Sequence, residues 1–91
     1  MTDNEGRLRG EVGRGDKAAS VLRNEIYEES FGVLRARYID ELVSSSASET
    51  EKRDRLYHAI RVLENVKQHI ESVAKTGEMA QVQLNELYKR R

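Results

Sequence analysis

The chain has no cysteine, no proline and no tryptophan, a single phenylalanine, and no excess of either charge, with 16 Lys and Arg against 16 Asp and Glu. The missing cysteine excludes a disulfide framework, a thiolate zinc site and a cysteine nucleophile. Zero formal charge argues against a protein dominated by contacts to a nucleic-acid backbone, because each neutralised phosphate needs a base that is not already balanced. No apolar stretch has the length of a signal peptide or of a membrane span, which predicts a soluble protein made in a cytoplasm, with no membrane partner. What is present is limited too: 91 residues make at most one small domain, and 37% hydrophobic against 35% charged residues is thin material for a monomeric core. Small domains compensate with disulfides, a metal or oligomerisation, and here only the last fits, so self-association is expected.

Residues 1–15 hold four of the six glycines, Gly6, Gly10, Gly13 and Gly15, among Arg7, Arg9, Arg14, Asp3, Glu5 and Glu11. Only Leu8 and Val12 follow Met1 as packing residues. This composition predicts a flexible arm, either a free tail or a segment that orders on a neighbouring subunit or on nucleic acid. The remainder, 16–91, is expected to form a helical hairpin domain.

Asp16 is a suitable N-cap for the helical spacing of Ala18, Ala19, Leu22 and Ile26, and the stripe resumes at Tyr27, Phe31, Leu34, Tyr38 and Leu42. One helix over 17–43 is expected, with Gly32 marking either a bend or a place where another backbone comes close. The serine-rich run from Ser44 to Ser48 reads as the loop, and Ser48 with Glu51 as a capping box opening the second helix. In that helix Leu56, Leu63, Ile70, Gly77 and Leu84 recur every seven residues, as do Ala59, Val66, Val73, Ala80 and Leu87. The pattern predicts an all-α antiparallel hairpin with a long heptad-patterned second helix whose seam packs on other helices or on a second copy. Gly77 allows two readings, a cap that breaks off a third helix or a small contact inside a continuous one; the unbroken heptad phase favours continuation.

No catalytic constellation emerges. His58 and His69 lie about 16 Å apart along a helix at roughly 1.5 Å per residue, too far for one metal ion. Glu28 with Glu29 and Asp40 with Glu41 are neighbours in sequence, so their side chains diverge by about 100° around a helix. No Gly-rich phosphate loop ends in Lys-Ser or Lys-Thr, so no catalytic residue, metal or cofactor is expected. Lys52, Arg53 and Arg55, with Arg61 two turns on, crowd the start of the second helix, where cations are disfavoured by the helix dipole. They read as a salt-bridged helix start or as a contact for an anion or nucleic acid.

The span from Phe31 to Leu87 resembles small uncharacterised helical proteins encoded in the structural and packaging gene regions of tailed bacteriophages. The resemblance is carried by an R-x-x-L-Y opening at Arg53–Tyr57 and a T-G-x-x-A element at Thr76–Ala80. It implies a phage origin and no catalytic residues. The expected function is therefore that of a non-enzymatic phage protein in virion structure, assembly or genome packaging, located in the host cytoplasm or incorporated in the virion. Its partners are further copies of itself and another phage or host protein. Two alternatives follow: a small regulatory protein binding one host partner through the acidic residues Glu25, Glu28, Glu29, Asp40 and Glu41, or a DNA-binding packaging adaptor resembling a small terminase subunit.

Overall fold

The computed structural model describes residues 3–90 as three helices, α1 (Asp3–Arg23), α2 (Glu25–Ser44) and α3 (Thr50–Lys89), with no strand among them. The all-α class and the long patterned helix agree with the sequence reading. Met1, Thr2 and Arg91, which fall in the ranges read as arm and hairpin domain, lie outside the described residues. The chain divides into two compact units: α1 with the part of α3 from His69 onward, and Asn24–Gln68, which contains α2 and the first half of α3.

In the first unit α1 runs antiparallel to α3. Leu8 is buried with Ala80 and Leu84, and Val12 and Leu87 pack on that cluster. Residues 3–15, expected as a flexible arm, are therefore helical. Composition alone does not carry the phase of the apolar residues: Leu8, Gly15 and Leu22 are seven apart, as are Glu5, Val12 and Ala19. Each helical glycine costs about 1 kcal/mol relative to Ala, while full burial of Leu8 alone returns about 2 kcal/mol. Asp16, read as an N-cap, consequently sits inside α1.

The single helix expected over 17–43 is two helices. Asn24, with φ −68° and ψ 125°, is the N-cap of α2, and its side-chain oxygen accepts from the backbone N–H groups of Ile26 at 2.9 Å and Tyr27 at 3.0 Å. Asn competes for backbone donors in this way, so the apolar periodicity crosses a position where the helix itself stops. Gly32 lies within α2, and a Cβ there would meet no atom within 4 Å, so no other backbone comes close to it.

The second unit is also antiparallel, but long side chains join its helices. Lys67 Nζ lies 4.7 Å from the centroid of the Phe31 ring, which stacks at 6.3 Å on Tyr27, and the Arg35 guanidinium is 3.2 Å from Glu64 Oε1. Leu56 and Ile60 are buried. Serines close the end of α2, Ser45 donating through Oγ to the Leu42 carbonyl at 2.6 Å. The start of α3 is organised differently from the expected Ser48–Glu51 box. The Glu49 N–H donates to the Ser46 carbonyl at 3.0 Å, and the Ser46 N–H donates back to Glu49 Oε1 at 2.9 Å. Ser46 and Glu49 thus close a turn ahead of α3, and the Glu49 carbonyl accepts the Arg53 N–H as the helix begins.

Helix α3 continues through Gly77 to Lys89, and no glycine has positive φ among the described residues, so the alternative of a break into a further helix at Gly77 does not hold.

Candidate functional site

The ten seam residues divide by environment. In the first unit Gly77, Ala80 and Leu84 are buried and Val73, Ile70 and Leu87 half-buried. Here the seam is covered by the chain's own α1. The two helices meet at Gly15 and Gly77. A Cβ built on Gly15 would lie 2.6 Å from the Gly77 Cα, and one built on Gly77 would lie 2.7 Å from the Gly15 Cα and 3.0 Å from the Glu11 carbonyl oxygen. Backbone therefore touches backbone, and only glycine fits either position. In the second unit Leu56 is buried, Ala59 and Leu63 are half-buried, and Val66 remains 52% exposed. Val62, one turn before Val66, is 60% exposed.

The small residues that permit the glycine contact also leave space beside it. An open groove of about 360 Å³ runs along the α1–α3 junction, lined by Val12, Ala19, Ala74 and Val82 with Gly15, Gly77, Asp16, Glu78 and Gln81. Toward the end of this unit the Arg9 guanidinium lies 5.7 Å from the Tyr88 ring centroid and donates a hydrogen bond to the Tyr88 hydroxyl. Glu5 is 2% exposed at the heptad position shared with Val12 and Ala19. Neither feature emerges from the sequence while residues 1–15 are read as an arm; the seven-residue recurrence through Val12 and Ala19 is the signal that points to Glu5.

The basic cluster is largely engaged within the chain. Lys52 Nζ lies 3.7 Å from Glu49 Oε2, Arg53 donates to Ser45 Oγ at 3.3 Å, and Arg61 lies 3.6 Å from Glu64 Oε2. Glu64 thus receives both Arg61 and Arg35. Arg55 is exposed and makes no ion pair among the described residues. Glu49 is held below the usual carboxylate range by the Ser46 backbone N–H, then by the Ser46 hydroxyl and the nearby Lys52 charge. His58 and His69 are both exposed, and no group of three or more potential metal ligands forms among the described residues. No helix among them is long and apolar enough to cross a membrane.

Comparison with known proteins gives no match to a family model, to a curated protein or to a solved structure.

Proposed function

We propose that the chain is a non-enzymatic phage protein that works by self-association and protein binding in the virion, its assembly or genome packaging. The observation that carries this reading is the imbalance between what the fold buries and what it leaves out. Six hydrophobic residues are buried among those described, Leu8, Ala18, Leu56, Ile60, Ala80 and Leu84, and two of them are alanines. Ten hydrophobic residues of valine size or above are exposed among those described, including Ile26 at 66%, Val43 at 79% and Val62 at 60%. Scattered exposed apolar residues are ordinary, but a core this small leaves a monomer little margin against chain entropy. Association that covers part of the exposed set supplies the missing burial. Size-exclusion chromatography with light scattering tests this: a concentration-dependent oligomer is expected at micromolar protein, and a stably folded monomer would remove the basis of the reading. The phage assignment rests on the sequence resemblance, and mass spectrometry of purified virions, with the protein at fixed copy number, is its test.

A second reading, a regulator that binds one host protein, draws on α2. Glu25, Glu28, Glu29, Asp40 and Glu41 are all exposed, and none has an ion-pair partner among the described residues. Capture of one host protein by the wild type, lost when these five are changed to Gln and Asn, would favour it. The DNA-binding adaptor has less support, since Lys52, Arg53 and Arg61 already have partners within the chain.

A further inference from the structure

Helix α1 combines a defined contact with α3 and a glycine-rich sequence. Its described packing is made onto α3: Leu8 against Ala80 and Leu84, Gly15 against Gly77, Arg9 against Tyr88. Its connection to α2 is one non-helical residue, Asn24. Away from α3 the segment has little reason to stay helical, because four of its 21 residues are glycine. Gly15 is required by the contact with Gly77. Gly6, Gly10 and Gly13 are not, since a Cβ at any of them would have no neighbour within 4 Å. The docked state thus carries three glycines that weaken α1 with no steric need for them. An open groove runs beside the Gly15–Gly77 contact.

We propose that α1 exchanges between copies, the α1 of one molecule docking on the α3 seam of a second. The surface it would occupy, Val73, Gly77, Ala80, Leu84 and Leu87, is already complementary to it, because the same contacts close the single chain. No new interface is needed, only a second copy close enough to supply the same helix. The connection is a single residue, Asn24, and lengthening a short hinge disfavours exchange relative to closure within a chain. The proposal rests on the self-association reading above and names a segment and a surface through which copies join; because it reuses contacts already buried in one chain, covering the exposed residues falls to a further face.

Two full-length variants test it by complementation. Leu8→Asp spoils α1 and leaves the α3 seam intact; Leu84→Asp spoils the seam and leaves α1 intact. Alone, each is expected to lose amide protection in residues 3–23. Mixed in equal amounts, they should form a heterodimer in which α1 of the Leu84→Asp chain regains protection by tenfold or more, while α1 of the Leu8→Asp chain does not. Association without that recovery would overturn the exchange and leave self-association standing through another face. A wild type that stays monomeric, with no heterodimer on mixing, would overturn both.

If either variant also loses protection in residues 24–68, the test moves to the native sequence with a flexible Gly-Ser-Gly-Ser insertion after Asn24. Exchange predicts a several-fold fall in the oligomeric fraction at fixed concentration. An unchanged fraction would overturn it.

Discussion

The two units hold their helix pairs together by opposite means. In the first, α1 and α3 approach until the glycine backbones touch, and the contact is made of Gly15, Gly77, Ala80 and the leucines beside them. In the second, α2 is joined to α3 by extended side chains, Lys67 on the Phe31 ring and Arg35 on Glu64, while the glycine of that unit, Gly32, faces no atom within 4 Å. A backbone contact tolerates no added atom, because neither main chain can give way without moving its helix. Side-chain contacts adjust by rotamer and lose strength gradually. Sensitivity to substitution should therefore concentrate in the first unit, although the second carries more of the charged and aromatic contacts.

The largest effect expected follows from adding one methyl group to each kind of glycine. Gly77→Ala places a Cβ 2.7 Å from the Gly15 Cα and 3.0 Å from the Glu11 carbonyl oxygen, with backbone on each side. We expect a loss of about 2–3 kcal/mol, at the upper end of overpacking costs, with α1 amides exchanging faster. Gly32→Ala adds the same group in open space and improves helix propensity, so a gain of about 0.5–1 kcal/mol is expected. Chemical denaturation followed by circular dichroism reads both. Equal effects of the two substitutions would break the contrast between the units.

A smaller effect is expected at the ion pair that spans α2 and α3. The Arg35 and Glu64 side chains retain 45% and 27% of their exposure, so solvent screens their attraction. A double-mutant cycle with Arg35→Ala and Glu64→Ala should give a coupling of about 0.5 kcal/mol, reduced at 1 M salt. A coupling above about 2 kcal/mol would mean that this unit depends on one polar contact as heavily as the first depends on its glycines.

Much of the fold was legible because periodicity is a property of sequence. The seven-residue spacing from Leu56 to Leu87 specified α3, and its undisturbed phase correctly carried the helix through Gly77. Of the seam residues Leu56, Gly77, Ala80 and Leu84 are buried while Val66 is exposed, and the pattern could not say what covers them: a heptad stripe is satisfied equally by a second copy or by another part of the same chain. That partner was hidden in residues 3–15, where glycine content outweighed the heptad of Leu8, Gly15 and Leu22. The pairing of Gly15 with Gly77 depends on tertiary contact, which local propensity does not encode. Asn24 illustrates the opposite error. The apolar stripe passes through it, yet its side chain takes the Ile26 and Tyr27 amides and ends the helix, a local competition that hydrophobic periodicity ignores. The basic residues lie at the start of α3 as the sequence implies, but their partners, Ser45 and Glu49 among them, lie in a turn that replaces the expected Ser48–Glu51 cap.

The smallest effect concerns that loop and runs with pH. Glu49 accepts from the Ser46 N–H and hydroxyl and lies near Lys52, and these partners favour its charged form. Its carboxyl therefore titrates lower in the folded chain than in the unfolded one. Such a group contributes stability that is fully present above the ordinary carboxylate pKa and is lost as pH falls through the depressed folded value. Acidification should accordingly loosen the Ser46–Glu49 turn and fray the first turn of α3, seen as faster exchange of the Ser46 amide and an upfield shift of its proton. Glu49→Gln should remove most of this pH dependence while keeping an acceptor in place. Because the carboxylate is open to solvent, the response should stay within residues 45–53 and leave the α1–α3 contact unchanged. A matching response at Gly15 or Gly77 would show that the two helix pairs do not behave as separate units.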